Sequence, residues 1–221
     1  MSTISKSNFP MHPGMRRPLL LILLVLVVDQ TLKFWIKTNM YLGQEYHVAG
    51  NWFIIHFTEN NGMAFGLEFA GEYGKLFLSL FRIVAVCGIG WYLFKLVKES
   101  VHPLLITSMS LILAGAIGNI IDSAFYGMLF SSSDFRLAEF LPADGGYSSF
   151  LHGKVVDMFY FPIFSGFFPD WVPFWGGDYF IFFRPVFNIA DASISIGVGL
   201  ILVFQAVIFK KPITESETKS E

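Results

Sequence analysis

The sequence predicts an all-α membrane protein with four transmembrane helices, a small extracytoplasmic β-sheet and an extracytoplasmic aromatic-rich insertion. Two observations support this prediction. Hydrophobic residues make up 54% of the chain and charged residues only 14%, so the composition departs from that of a soluble domain towards that of a lipid-embedded one. The hydrophobic residues also fall in long blocks, and a helix that crosses the hydrocarbon core needs roughly 20 of them.

Four apolar stretches are long enough to cross a bilayer, which places both termini on the same side. They are 18–37, 76–96, 103–121 and 185–209. The side is predicted from basic residues, because cytoplasmic segments are enriched in Lys and Arg. These residues flank the two ends and the short link between the second and third spans: Lys6, Arg16, Arg17, Lys95, Lys98, Lys210 and Lys211. We therefore expect cytoplasmic termini, a disordered cytoplasmic tail at 214–221, and extracytoplasmic segments at 38–75 and 122–184.

The extracytoplasmic segments differ in composition. Residues 44–58 indicate two short strands joined by a turn at 49–51, and Asn60-Asn61-Gly62 favours a tight turn. Segment 131–153 is rich in Ser, Asp and Gly and indicates an exposed loop. Segment 159–183 is crowded with aromatic residues among prolines and glycines. An aromatic belt at the level of the lipid headgroups and a lid over a lipid-binding cleft both account for it.

Several kinds of function find no support in the sequence. Cys87 is the single cysteine, so a disulfide or a cysteine-based metal site within the chain is excluded. The histidines form no His-x-x-x-His pair, and no Gly-x-Ser-x-Gly motif is present. The net charge of -2 and the lack of a basic cluster interleaved with aromatic residues argue against a nucleic-acid partner.

Polar side chains in the predicted spans collect at the extracytoplasmic end, although the membrane makes such residues costly. They are Asp29, Gln30, Lys33, Arg82, Asn119, Asp122, Asn188 and Asp191, and Asp157 lies in the segment just before the fourth span. Three spans and one extracytoplasmic segment thus bring carboxylates to a similar depth, which predicts a site there.

Structural roles also account for part of this set. Asp29 and Lys33 are four residues apart on one helix face and can neutralise each other. Arg82 can pair with a carboxylate or extend to the headgroups. Asn119 and Asn188 each stand three residues before an aspartate, a spacing that also suits hydrogen bonds between helices. Two Asn-x-x-Asp repeats at the ends of two spans nevertheless favour a built site.

Aspartates without a metal cluster, a serine nucleophile or a thiol indicate acid–base chemistry. Two carboxylates held together near lipid cannot both stay ionised, so one keeps a proton, and the pair can divide the work of an aspartic protease. Judged only by its predicted depth in the membrane, Asp122 is as strong a candidate for the reactive pair as Asp157. A proton-coupled membrane transporter also uses ionisable residues in spans, although its sites usually lie at the midplane between repeats. A noncatalytic assembly factor that docks through the small sheet is a third possibility.

Five motifs resemble, in order and in spacing to the spans, those of the bacterial lipoprotein signal peptidases, or signal peptidase II. They are Asp29-Gln-Thr-Leu-Lys33, Glu59-Asn-Asn-Gly-Met-Ala-Phe65, Gly118-Asn-Ile-Ile-Asp122, Val155-Val-Asp157 and Phe187-Asn-Ile-Ala-Asp191. The resemblance covers nearly the whole chain from the first span to the fourth. It implies a single integral membrane peptidase domain over residues 1–213.

The resemblance implies roles for the site residues. The catalytic pair is Asp157 and Asp191, and Asp122 is a supporting residue. The resemblance implies that Asn60, Asn119 and Asn188 support the substrate backbone or the catalytic pair. It implies that Asp29 and Lys33 brace the fold.

The resemblance also implies a substrate and a location. The substrate is a prolipoprotein whose signal peptide is cut just before a diacylglyceryl-modified cysteine, with no cofactor or metal. The implied location is the bacterial inner membrane with the active site at its outer face, among membrane lipids. The peptide antibiotic globomycin is the implied inhibitor.

Two departures from the family pattern are evident. Ser123 stands where the family usually has an arginine, and Arg82 is a candidate substitute. The distance from Asp122 to Asp157 is 157 − 122 = 35 positions, where the family needs only a short turn. The insertions 123–154 and 160–184 leave the motifs intact, so we expect them to spare the chemistry and to alter a lid, substrate choice or inhibitor access.

Overall fold

The computed structural model describes residues 13–61 and 71–210. Its helices are α1 (Arg16–Asn39), α2 (Gly71–Lys98), α3 (Pro103–Ile121), α4 (Gly127–Leu129), α5 (Ile189–Val203) and α6 (Gln205–Ile208). Its strands are β1 (Glu45–Ala49), β2 (Phe53–Asn60), β3 (Val155–Tyr160), β4 (Phe164–Phe167), β5 (Tyr179–Phe182) and β6 (Val186–Phe187). A π-helical turn, Asp122–Tyr126, joins α3 to α4. The predicted all-α class is therefore wrong, because two sheets make the fold a mixture of helix and strand.

Three helical stretches in the described part of the chain are long and apolar enough to cross a membrane. They are Pro13–Asn39, Gly74–Lys98 and Pro103–Leu129. Their positions agree with the first three predicted spans. Large apolar side chains on their free faces are exposed, for example Leu20 at 66% and Val84 at 70%, as expected of helices that face lipid rather than water.

The fourth predicted span, 185–209, is not one continuous helix. Its first residues form β6, and α5 begins only at Ile189 because Asn188 is extended, with φ −122° and ψ −178°, and caps the helix. Helical structure is then interrupted at Phe204, with φ −103° and ψ 18°. The 15 residues of α5 rise about 22 Å, less than the roughly 30 Å of a hydrocarbon core. The fourth crossing therefore stays a prediction.

The predicted pair of short strands is confirmed. β1 and β2 form an antiparallel hairpin in which Glu45 faces His56, and Gly50 in the turn has φ +52°. The sheet order is β1-β2-β3-β6, so β3 lies between β2 and β6. β4 and β5 form a separate two-stranded sheet within the predicted aromatic-rich insertion. The placement of that insertion on a membrane surface stays a prediction.

Segment 131–153 is mostly exposed and forms no helix or named strand, although some of its residues are buried. The amide of Ala138 donates to the carbonyl of Lys37 at 3.2 Å, and the amide of Gly153 donates to the carbonyl of Ser123 at 2.8 Å. Ser133 is completely buried. The prediction of an exposed loop is confirmed, and backbone hydrogen bonds also fasten the segment onto α1 and the end of α3. The predicted turn after Asn61 and the tail 214–221 lie outside the described residues.

Glycine lets α3 and α5 approach closely. A Cβ atom at Gly115 would lie 2.2 Å from the carbonyl oxygen of Ala190, and one at Gly197 would lie 2.7 Å from the carbonyl oxygen of Ser108. Small residues commonly allow helix backbones to meet in membranes, where the gain comes from close packing. The start of α5 is thus fixed against α3, next to Asp191.

We predict that Gly115→Ala lowers the thermal unfolding temperature in detergent, because forcing a methyl group into this contact costs about 1–3 kcal/mol. The matched control is Gly88→Ala on α2, where no atom lies within 4 Å of the added Cβ. Alanine favours a helix over glycine, so the control should be neutral or more stable. Equal unfolding temperatures for the two variants would contradict the packing argument.

Candidate active site

Asp157 lies on β3, in the interior of the four-stranded sheet. It faces Thr58 across the ladder that joins β2 to β3, and only 3% of its surface is exposed. The first four residues of β3 are all buried, and β6 pairs only with the last two residues of the strand. The prediction that Asp157 is delivered by the segment before the last span is confirmed in position.

Asp191 lies in the first turn of α5. The Asn188 side chain accepts a hydrogen bond from the Asp191 amide at 2.9 Å, and the Asp191 carboxylate accepts one from the Asn188 amide at 3.4 Å. This reciprocal arrangement is a capping box, and it satisfies amides that a helix start leaves open. The predicted fourth span begins at 185, six residues before Asp191, whereas the capped helix begins only at Ile189, so Asp191 lies nearer to the helix start than predicted.

Asn188 connects the two aspartates. Its Nδ2 donates to Asp157 Oδ1 at 2.7 Å while its Oδ1 caps Asp191. Asn119 supports the same pair from α3, because its Nδ2 donates to Asp191 Oδ1 at 2.8 Å. Its Oδ1 accepts hydrogen bonds from Asn188 at 3.1 Å and from Lys33 at 2.9 Å. The two Asn-x-x-Asp repeats therefore meet at one place.

Lys33 lies beneath this group with none of its side chain exposed. Its Nζ is 3.0 Å from Asp29 Oδ2 and 2.9 Å from Asp122 Oδ2, and both of these carboxylates are also fully buried. The predicted pairing of Asp29 with Lys33 is confirmed in geometry. Asp122 joins the pair from α3, so three charges neutralise one another only in part and leave a net negative charge.

Asp29 and Asp122 also hold the backbone beside the two candidate catalytic residues. Asp122 Oδ2 accepts a hydrogen bond from the Val156 amide at 3.1 Å, one residue before Asp157. Asp29 Oδ1 accepts one from the Ala190 amide at 2.9 Å, one residue before Asp191. Asp122 therefore holds the backbone next to Asp157. The predicted membrane depth of the two residues does not distinguish this supporting contact from a place in the pair.

Gln30 is one of the polar residues that predict the site, but the sequence did not indicate its partners. Its Nε2 donates to Asp122 Oδ1 at 2.9 Å, and its Oε1 accepts from the Tyr126 hydroxyl at 3.2 Å. The available signal was its place beside Asp29 within the first motif. Tyr126 lies on the π-helical turn, which carried no such signal.

Three further residues complete the surroundings. Asn60, at the end of β2, forms a side-chain hydrogen bond with Asp157. Arg82 on α2 is half-buried and lies within electrostatic reach of both Asp191 and Asp157. Ser123 is buried, and its hydroxyl donates to the Asn119 carbonyl at 3.0 Å. A serine therefore stands where the family resemblance implies an arginine, and Arg82 is a cation that interacts electrostatically with both aspartates.

Burial, and to a smaller extent the negative charge of Asp191, raise the pKa of Asp157 to about 7. Lys33 and the hydrogen bonds from Asn188 and Asn60 oppose this rise, because they favour the charged carboxylate. At neutral pH Asp157 is therefore partly protonated, and its carboxyl group can donate a proton.

The arrangement can perform acid–base chemistry at a bond placed between the two aspartates. One carboxyl can donate a proton while the other accepts one, which is the division of labour in aspartic proteases. No group of three or more potential metal ligands occurs within residues 13–61 and 71–210. The residues present therefore offer the aspartate pair itself as the reactive group.

Lys33→Met tests the charge balance beneath the site. The variant leaves two buried carboxylates without their shared cation, which costs about 3–5 kcal/mol. We predict a large drop in the free energy of unfolding, measured by denaturation in detergent. The control is Lys95→Met, which removes half of an exposed pair with Glu99 at 3.9 Å and should leave that free energy unchanged. A stable Lys33→Met variant would contradict the assigned charge balance.

Comparison with known proteins gives a consistent result. The model of the signal peptidase (SPase) II family matches residues 21–207. The chain is 58% identical to the lipoprotein signal peptidase of Porphyromonas gingivalis over 184 residues, or 83% of this chain and 80% of that protein. It is 39% identical to the lipoprotein signal peptidase of Amoebophilus asiaticus over 198 residues, or 88% of this chain and 80% of that protein.

Two solved structures described as bacterial membrane enzymes have a similar fold. Their TM-scores are 0.57 and 0.55 at 26% and 24% identity, and the matches cover 88% and 90% of this chain and 94% of each of theirs. The family match extends from α1 to α6 and includes every element of the aspartate site. The chain belongs to the signal peptidase II family.

Proposed function

We propose that this protein is a membrane-embedded aspartic endopeptidase that removes the signal peptide from diacylglyceryl-modified prolipoproteins, with Asp157 and Asp191 as its catalytic pair. Family membership supports peptide cleavage, and nothing in the fold supports the alternative of a proton-coupled transporter. The observation that carries the proposal is the position of the buried Asn188, which connects a strand to a helix start. Its side-chain amide donates to the Asp157 carboxylate, and its backbone amide donates to the Asp191 carboxylate.

The chemistry follows from one proton shared by two carboxyl groups. Asp157, as the protonated member, donates a hydrogen bond to the carbonyl oxygen of the scissile peptide and makes its carbon more electrophilic. Asp191, as the ionised member, accepts a proton from a water molecule, whose oxygen attacks that carbon. The C–N bond then breaks as Asp191 returns its proton to the leaving amine, and the new carboxylic acid is released.

The asparagines around the pair suit this division of roles between a protonated Asp157 and an ionised Asp191. Asn188 and Asn119 donate to oxygens of the pair from two elements, so each carboxyl group is held in a fixed orientation before substrate binds. Fixed polar groups around the reacting atoms lower the barrier because they need no rearrangement during the reaction. Asn60 donates from a third element and leaves the remaining side of Asp157 for substrate.

The location of the pair fits a substrate that comes from the membrane. Asn119 and Asp122 are at the end of α3, and Asp191 is in the first turn of α5, so the pair lies at the ends of apolar helices. A signal peptide that crosses the bilayer as a helix would present its end at this level. The distribution of basic residues supports the outer face of the bacterial inner membrane, with both termini in the cytoplasm.

The aromatic-rich insertion is the proposed contact for lipid. The hairpin of β4 and β5 and its connection expose large rings, including Trp171 at 81% and Phe174 at 97%. Such rings favour the headgroup level of a bilayer and can pack against acyl chains. The diacylglyceryl group of the substrate, membrane lipids and the inhibitor globomycin are the ligands that we assign to this side of the site.

Asp157→Asn and Asp191→Asn should each reduce cleavage of a diacylglyceryl-modified prolipoprotein by about 10²- to 10⁴-fold, the usual contribution of a general acid or base. Both variants should stay folded, because an amide oxygen still accepts the hydrogen bonds of Asn188 and Asn119. Asp144→Asn, at an exposed position, is the matched control and should keep full activity. Full activity in either pair variant would sink the proposal, and it would leave a noncatalytic assembly factor as the alternative.

The pH dependence of cleavage is a separate prediction. When Asp157 loses its proton, both members are ionised and none can donate to the peptide carbonyl. Because its pKa is raised to about 7, kcat/KM should decline as the pH rises through about 7. Asn60→Ala removes a hydrogen bond to the charged form of Asp157, so the decline should move to higher pH. A rate that is flat across this range would refute the assignment of the proton to Asp157.

A further inference from the structure

A second buried charge cluster lies at the end of α1 nearest the sheet, apart from the aspartate pair. Lys37 contacts Glu59 on β2 directly, and the two side chains are 0% and 4% exposed. Lys37 Nζ also donates to the buried Ser133 hydroxyl at 2.8 Å, and Ser133 donates to Glu59 Oε1 at 3.2 Å. Lys154 Nζ lies 3.2 Å from the other oxygen of Glu59.

Aromatic rings close the cluster from the side of segment 131–154. Lys37 Nζ lies 4.8 Å from the ring centroid of Tyr147 and 5.6 Å from that of Phe130. The Tyr147 hydroxyl accepts a hydrogen bond from the Lys154 amide at 2.7 Å. An ammonium group over such rings is attracted by their negative faces, and the rings keep water away from the pair.

The proposed reaction uses none of these groups. Removing two charges from water costs several kcal/mol for each ion, and an apolar pair of similar volume would often be as stable. A buried ion pair is best explained where it fixes the position of the element that carries it. The element that the pair would fix is β2, which carries Glu59.

Glu59 lies in the part of β2 that pairs with β3, the strand that carries Asp157. Across the β2–β3 ladder, Thr58 faces Asp157, Glu59 faces Val156 and Asn60 faces Val155. Asn60 also donates to the Asp157 side chain. A shift of β2 at Glu59 would therefore move the Asn60 amide relative to Asp157.

The three buried charges on α1 follow one another at intervals of four residues. Asp29 holds the start of α5, Lys33 holds α3, and Lys37 holds β2. Residues four apart lie on one face of a helix, so a single face of α1 sets the relative positions of all three elements.

We propose that the Lys37–Glu59 pair, closed by Ser133 and Lys154, positions Asp157 through β2 and Asn60, and that segment 131–154 is a brace for this pair rather than a lid. The inference rests on the proposed function, since it concerns the geometry of the proposed catalytic residue. Lys37 and Glu59 are positioning residues, because neither touches the aspartate pair or the site of the substrate.

The readout is the pH at which activity declines. The charged groups around Asp157 are Asp191 on α5, Lys33 on α1, Arg82 on α2 and Asp122 at the end of α3, which contacts the Val156 amide. Asn188 and Asn60 form hydrogen bonds to Asp157. Of all these residues, only Asn60 lies on β2. Loss of the bond from Asn60 raises the pKa of Asp157, because that bond favours the charged carboxylate.

Two variants remove opposite charges and so separate position from charge. Glu59→Gln removes a negative charge, and Lys37→Met removes a positive one. If the pair positions β2, both variants lose the Asn60 bond, so both should move the decline in kcat/KM to higher pH. Both should also lower kcat about tenfold with KM nearly unchanged, because a small misplacement of a reacting group slows the chemical step.

If the pair acted only through its charges, the decline would move to lower pH in Glu59→Gln and to higher pH in Lys37→Met. That result, or an unchanged pH profile in both variants, would overturn the proposal. Ser133→Ala is a milder variant for the case in which either charge removal prevents folding, and it should show the same direction with a smaller shift.

The control is Glu99→Gln, which breaks the exposed pair with Lys95 and should leave kcat and the pH profile unchanged. The cleavage assay with Asp157→Asn and Asp191→Asn runs in parallel. Activity in those two variants would refute the proposed function itself. Inactivity there, together with unchanged profiles for Glu59→Gln and Lys37→Met, would refute only the positioning role.

Discussion

The burial of one ammonium group, that of Lys33, is the constraint on which the rest of the site depends. An isolated charge in an apolar interior is prohibitively costly, so carboxylates must reach it from wherever the chain can supply them. Asp29 supplies one from the same helix and Asp122 the other from α3. Each also accepts a hydrogen bond from a backbone amide next to one of the two proposed catalytic aspartates: Asp29 with its other oxygen, and Asp122 with the same oxygen that contacts Lys33. The neutralisation of Lys33 and the placement of the aspartate pair are thus one arrangement.

The two proposed catalytic carboxyl groups come from elements of different kinds, and this suits a shared proton. A strand in the interior of a sheet keeps Asp157 dry, which favours its neutral form, whereas Asp191 begins a helix. Donors from Asn119 and Asn188 point at Asp191 Oδ1 and Asp157 Oδ1 respectively. The environments of the two groups differ even though their side chains are of the same type, and the proposed division into acid and base rests on this difference.

Sequence reasoning predicted those features whose signals are local. The first three spans, the hairpin around Gly50 and the pair of Asp29 with Lys33 depend on runs, turns and four-residue spacings. It missed features set by distant partners. The amide of Ala190 meets Asp29 across 161 positions, and Lys37 meets Ser133 across 96. The cap at Asn188 also overrode the apolar run after Pro185, so hydropathy placed the last helix too early.

Asn188 also limits how this site can change in evolution. The side chain at this position must accept a hydrogen bond to begin α5 and donate one to Asp157. Aspartate and serine begin helices as well as asparagine does, but aspartate has no proton to give when ionised and would add a third negative charge. Serine has one short hydroxyl, which cannot replace the two hydrogens of the amide. Of the residues that cap helices well, only asparagine meets both demands, so the position has essentially one solution.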